Sequence, residues 1–307
     1  MAGAYRIAGM GWLPDYPDIR DYGPEQTEVP RRLKASGQDA EPSISNMLAT
    51  AGVGKRSPGS ADLREWFSPI EDQGQIGSCT AHAGVGLVEY FERRAFGKHI
   101  DASRLFLYKV TRDLLHWEGD TGAFLRSTMM ALVLFGVPPE EYWPYVEADY
   151  EKEPTAFSYA FAQSYQSIQY YRLDAPNTPA EQLLVRIKDE LGAGLPCMFG
   201  FTVYDSIAQA DSTGRIPAPA PGDKIAGGHA VVAAGYDDKM RIRNSSRGGQ
   251  ESVGAFLVRN SWGAGWGEGG YGWLPYDYVL RGLAEDWWSI LKCEWVDTGE
   301  FGDAPSA

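Results

Sequence analysis

From Ser78 onward, small and apolar residues recur at helical spacing as far as Phe96, and the run "CTAHAGVGLVEYFERRAF" predicts a helix. Ser78 stands where a capping residue belongs, and Ala81, Ala83, Gly84 and Gly86 would let neighbours approach closely, as on a central buried helix. "SRLFLYKVTRDLLH" (103–116) and "FLRSTMMALVLFG" (124–136) repeat the same period. A fourth helix is expected from Thr178-Pro179 to about Leu191, with Thr178 as cap and Pro179 in the first turn. After Pro196 the pattern changes to short apolar runs punctuated by Gly, Asp and Asn. "CMFGFTVY", "HAVVAAGYD", "AFLVRNS", "GYGWLPY" and "WWSILKCEWV" each predict a strand. A helical first half followed by a mainly antiparallel second half implies an α+β protein of two lobes.

Residues 1 to about 60 follow neither pattern. They are rich in Pro, Gly and charge, and "GKRSPGS" (54–60) has the composition of an exposed linker. Within them, "GWLPDYPDIRDY" (11–22) sets aromatic and aliphatic side chains between acids and prolines. Such a segment has too little apolar surface to fold alone but suits an extended path along a groove. The expected division is therefore 1–60 as an N-terminal extension and 61–307 as the main domain, with lobes of about 61–175 and 176–297.

Composition narrows the function classes. The 307-residue chain is 44% hydrophobic and 22% charged, as a globular protein is. Its net charge of −13, with Arg241–Arg247 the one basic cluster, argues against nucleic acid as a partner. No apolar run is long enough to span a membrane, and the first residues lack the continuous apolar core of a signal peptide, so no membrane association is expected and the compartment stays open. Three cysteines without a CxxC pairing give no zinc site. Cys197 and Cys293 fall in apolar strand-like runs as buried small residues, a bond between them remaining an alternative.

Cys79 differs because it begins a helix, and a helix amino terminus lowers a thiol pKa. An imidazole would complete the activation. His82 lies on the same helix wall, His99 follows a helix end, and His116 has no evident partner. His229, in "AGGHAVVAAGYDD", follows two glycines that let a substrate or another backbone approach. Downstream, "VRNSWGAGWGEGGYGWLPY" offers Asn260 to orient the imidazole and Trp262 to shield that bond. Gln73, six residues before Cys79, offers an amide that with the Cys79 N–H forms a pair of oxyanion donors.

In combination, "DLREWFSPIEDQGQIGSCTAHA" (62–83), "GGHAVVAAGYDD" (227–238) and "FLVRNSWGAGWGEGGY" (256–271) resemble the three signatures of papain-like cysteine peptidases, in the order Gln, Cys, His, Asn. "GWLPDYPDIRDY" and "GVPPEEYWPY" (136–145) resemble the bacterial, xylellain-like branch. Ile76 and Thr80 depart from plant and lysosomal relatives, which carry a cysteine and a tryptophan at those positions. The resemblance implies a papain-like two-lobe fold with the cleft between lobes, catalytic Cys79, His229, Asn260 and Gln73, and neither metal nor organic cofactor. It further implies a polypeptide substrate paired along Gly122, with Ala123, Gly227 and Gly228 lining a roomy apolar pocket for the second residue on the acyl side. The N-terminal segment is expected to act as an intramolecular inhibitor of a monomeric enzyme. Peptide ligation at the same site and a silent peptide-binding module are the competing readings.

Overall fold

The computed structural model describes residues 9–18, 20, 21, 23 and 58–295, the side chains of 165–169 and 291–295 excepted. Among the described residues, six α-helices run Cys79–Phe96 (α1), Arg104–Leu114 (α2), Leu125–Leu134 (α3), Ala156–Ala162 (α4), Ala180–Gly192 (α5) and Asp277–Leu280 (α6). The same residues hold seven strands, Ser60–Asp62 (β1), Tyr165–Arg172 (β2), Cys197–Tyr204 (β3), Ile225–Arg243 (β4), Glu251–Arg259 (β5), Tyr271–Pro275 (β6) and Ala284–Trp295 (β7). The strands form one sheet in the order β2-β7-β3-β4-β5-β6, with β1 paired on β4, every ladder antiparallel. This is the expected α+β architecture, a helical half set against a sheet.

The long strand β4 joins the two halves. Because successive side chains point to opposite faces, Ala230, Val232 and Ala234 enter the core built on α1, α2 and α3. Val231 and Ala233 enter a second core with Phe199, Leu183 and Ile187. Helix α1 is buried from Cys79 to Glu92 and lies centrally. At Gly84 an added Cβ would meet Thr128 and Leu107 at 3.1 and 3.4 Å, so the small residues are what let α2 and α3 close on it. Each large apolar side chain it seals away, such as Leu87 or Phe91, contributes about 1.5–3 kcal/mol. Gly97, in the left-handed conformation (φ 72°), ends the helix with its N–H on the Arg93 carbonyl.

Three local expectations are corrected. Ser78 occupies the cap position, but its hydroxyl bonds Tyr145 Oη (2.7 Å) and makes no cap hydrogen bond. At α5 the cap position falls to Pro179, and the Thr178 hydroxyl turns back to the Ala175 carbonyl. The strand β2 joins the sheet ahead of the expected lobe boundary at 175/176, because its partner is the distant β7. Pro58 and Gly59 are exposed, yet their carbonyls accept from Tyr236 Oη and the Asp238 N–H. The remainder of the expected linker, 54–57, lies outside the described residues, as does the side chain of Cys293; Cys197 is a free buried thiol. Among the described residues no helix is long and apolar enough to cross a membrane.

Candidate active site

Cys79 is the first residue of α1, where unpaired helix N–H groups face the cleft between helices and sheet. His229 lies opposite on β4, and the N–H of the next residue, Ala230, points at Cys79 Sγ from 3.4 Å. His229 Nε2 is 2.7 Å from Asn260 Oδ1. That same oxygen accepts the Ser261 backbone N–H at 2.8 Å, and a backbone N–H can only donate. Asn260 therefore presents oxygen, and His229 must carry its proton on Nε2. Its Nδ1 is left as a buried lone pair with no hydrogen-bond partner among the described residues. Trp262 stacks on the imidazole at 4.5 Å between ring centres and covers this bond, with Trp266 edge-on behind it.

Gln73 is brought in by pairing of two loops: Asp72 bridges Trp262, the Gln73 N–H donates to the Ser261 carbonyl, and the Gly263 N–H to that of Glu71. Its side chain is clamped at both ends. Oε1 accepts from Ser261 Oγ (2.5 Å) and Nε2 donates to the Ile76 carbonyl (2.9 Å). One amide hydrogen remains unassigned, as an oxyanion donor requires. Ser261 thus holds both Asn260 and Gln73, a residue sequence reasoning passed over inside the "NSWG" string. Across the cleft, Asp120 Oδ1 accepts from the Gly77 N–H and Tyr108 Oη, and Tyr108 Oη accepts the Gly122 N–H. This chain of bonds fixes the Gly122 wall relative to the Cys79 loop.

The cleft is filled by the chain's own N-terminal segment. Gly9 donates its N–H to the Gly74 carbonyl, and Trp262 Nε1 donates to the Gly9 carbonyl. Trp12 N–H bonds the Gly228 carbonyl, while Ala123 receives the Leu13 N–H and donates its own to Gly11, a parallel bridge. Gly11 lies so close to the Cys79 loop that an added Cβ would sit 1.9 Å from the Gly77 carbonyl. Gly122, at φ +73°, faces Gly11, Gly227 faces Met10, and Gly228 faces Trp12. The residues expected along the substrate path (Gly122, Ala123, Gly227 and Gly228), and Trp262 with them, therefore touch residues 9–13. Beyond the cleft, Arg126 pairs with Asp15 and Asp21, and Arg172 donates to the Asp15 carbonyl.

Burial under this segment sets the electrostatics. Cys79 and His229 are both 0% exposed. Desolvation pushes the thiol up to about 11, against the lowering effect of amides from Ala230, Gly11, Thr80 and Trp12. The same desolvation pushes His229 down to about 4, with the Asn260 bond opposing it. At neutral pH the covered pair is thiol and neutral imidazole.

The pocket beside Gly228, where an apolar lining is expected, holds a polar group as well. Trp12 fills it, only 5% exposed, with its ring directly on Gly200, where a Cβ would fall 1.8 Å from the indole. Its Nε1 donates to Asp286 Oδ2 at 3.2 Å. Gly200 and Asp286 carried no motif that could have marked them. Of the other histidines, His82 turns away: its Nδ1 donates to the Ser78 carbonyl, and burial holds it down at about 3.

The papain family cysteine protease model matches residues 57–285. An uncharacterized peptidase C1-like protein of Acanthamoeba polyphaga mimivirus is 33% identical over 227 residues, 72% of this chain and 69% of the relative. Cathepsin K of Gallus gallus is 26% identical over 220 residues, 70% of this chain and 58% of its own length. Among solved structures, xylellain, a cysteine protease from Xylella fastidiosa, is similar with a TM-score of 0.71 and 32% identity, covering 93% of this chain and 96% of that one.

Proposed function

The chain belongs to the papain family of cysteine proteases, and as a cysteine peptidase of that family we propose that it hydrolyses peptide bonds with Cys79 and His229 and is held latent by its own residues 9–13. The observation that carries the reading is the imidazole. His229 is fixed as the Nε2–H tautomer by Asn260, and its free Nδ1 lies beside the residue whose N–H touches Cys79 Sγ.

With the segment displaced and water readmitted, the Cys79 proton passes to His229 Nδ1. The resulting thiolate attacks the scissile carbonyl carbon. The oxyanion takes hydrogen bonds from the Cys79 N–H and Gln73 Nε2. As the C–N bond breaks, His229 returns its proton to the leaving amine. It then takes a proton from water, whose oxygen attacks the thioester and releases the acid and the thiol. Asn260 keeps the ring in place throughout, and Trp262 keeps water from competing for that bond.

This chemistry also explains why the segment would not be cleaved. The leaving amine must lie on the His229–Trp262 side, so a substrate runs from its amino end at Ala123 toward Trp262. Residues 9–13 run the other way, from Gly9 at Trp262 to Leu13 at Ala123. The reversed backbone occupies the cleft without presenting a carbonyl in the reactive sense. Residues 1 to about 60 would then be a prosegment, and the peptidase domain would begin near residue 61.

The test is a broad peptide library offered to the intact chain and to the chain proteolysed between residues 24 and 57, with Cys79→Ala as control. Cleavage is expected to rise once residues 9–13 can leave, and to vanish in Cys79→Ala. Equal activity of intact and proteolysed chains would end the latency reading, and activity surviving in Cys79→Ala would end the catalytic one.

A further inference from the structure

The side chain that fills the cleft pocket reports what that pocket is built to hold. The Trp12 indole lies on Gly200 and Gly228, whose missing side chains leave the space it takes as a slot. At the floor stands Asp286, fully buried. Its Oδ1 is already taken by Trp288 Nε1 (2.7 Å) and by Arg172 (3.1 Å), and its Oδ2 faces the slot and accepts from Trp12.

The floor is deliberately held. Asp286 has φ +65°, a conformation uncommon for a residue with a side chain and retained where surroundings enforce it. Asp174 does the enforcing: its two oxygens accept the backbone N–H groups of Asp286 (2.8 Å) and Trp287 (2.9 Å) while gripping the Arg172 guanidinium at 2.9 and 3.0 Å. Arg172 is in turn shared between Asp174 and Asp286. When the segment leaves, Oδ2 loses the donor that Trp12 gave it, in a position a small apolar side chain cannot satisfy.

We propose that Asp286 makes this slot selective for a flat side chain carrying a neutral hydrogen-bond donor, tryptophan foremost, at the second residue on the acyl side of the cleaved bond. The proposal rests on the peptidase reading above and narrows its substrate class. A neutral donor is favoured over a cationic one because Arg172 already supplies the positive charge, and a substrate guanidinium or ammonium would be placed beside it. Leucine fills less of the slot and leaves the buried oxygen unpaired.

The experiment uses the full-length chain bearing Trp12→Ala, which empties the slot, and a series of fluorogenic peptides differing only at that second residue: tryptophan, its sulfur isostere benzothienylalanine, phenylalanine, leucine and arginine. Tryptophan is expected to exceed the isostere by about 10- to 100-fold in kcat/KM, the cost of leaving a buried polar group unpaired. The isostere comparison changes one N–H on the substrate and needs no variant of Asp286. Asp286→Leu, where it folds, is expected to bring the two substrates to within threefold or so. Isostere, leucine or arginine peptides cleaved as well as the tryptophan peptide would overturn the proposal while leaving a working peptidase. If no member were cleaved and Cys79 alkylated no faster than Cys197, the peptidase reading itself would fail and take the proposal with it.

Discussion

Truncating Trp12 to alanine in the intact chain should unlatch the cleft without cutting the backbone. The indole is 5% exposed, lies on Gly200 and Gly228, and donates to a buried carboxylate. Replacing a buried tryptophan by alanine costs about 3–5 kcal/mol. Here that loss falls on docking of the segment, since Trp12 belongs to the segment and its contacts vanish when the segment lifts. At 1.4 kcal/mol per tenfold, the open fraction should rise by roughly 10²-fold to a few thousandfold. The backbone bonds of Gly9, Trp12 and Leu13 and the Arg126 pairs with Asp15 and Asp21 are untouched by the substitution and are common to the two chains compared. The assay is the rate of Cys79 alkylation in uncleaved protein, followed by peptide mapping, together with hydrolysis of a fluorogenic peptide. Tyr16→Ala, whose ring is 90% exposed, is the control and should leave both rates unchanged. If Trp12→Ala alkylates Cys79 within threefold or so of wild type, the anchor argument is wrong, since no docking energy of about 3 kcal/mol could be hidden in so small a change.

Other outcomes follow from the same geometry. Gly200→Ala should also activate the intact chain, because the new methyl group displaces the indole, and should shift preference toward small side chains in substrate profiling. Gln73→Ala should lower kcat by about 10²- to 10³-fold with little change in KM, the signature of a donor used at the oxyanion stage. Asn260→Ala should cost about 10- to 100-fold, since the imidazole loses the partner that sets its tautomer. In pH titrations of the intact chain, ultraviolet thiolate absorbance from Cys79 should appear only toward pH 11, and the His229 ring signal should titrate near 4. The sign of the His229 contribution follows: a depressed histidine pKa means the covered state binds fewer protons there than a hydrated imidazole of ordinary pKa 6.5, so this contribution to docking is lost as pH falls from 6.5 toward about 4, while Asp286, pushed up to about 7 by burial, contributes with the opposite sign.

The parts legible in the sequence were those set by local period or by chemistry confined to a short string. Helices α1, α2, α3 and α5 and strands β3 to β7 fall where spacing placed them, because each buries a face whose residues recur locally. The strand β2 escaped because "YQSIQYYR" is stabilised by a partner more than a hundred residues away. The Ser78 hydroxyl left its cap for Tyr145, a choice made by tertiary packing rather than propensity. At the candidate site, Gln73, Cys79, His229 and Asn260 each lie in a compact string, and the fold brings the four strings together. Asp286 could not be named. Its place depends on β7 pairing with β3 at Gly200–Glu285, on a left-handed backbone, and on a clamp from Asp174, none of which leaves a local mark in "LAEDWW". Ser261 was in plain view within "NSWG", but its hold on Gln73 requires the two loops to meet.

The most direct test of the central claim is a titration of activity against covalent modification. The proteolysed chain is treated with substoichiometric increments of a thiol alkylating agent, and residual hydrolysis is plotted against label at each cysteine resolved by mass spectrometry. Activity should fall in one-to-one proportion to label on Cys79, with Cys197 and Cys293 unlabelled until activity is gone. Activity that persists after Cys79 is fully modified, or that falls in step with another cysteine, would contradict that claim.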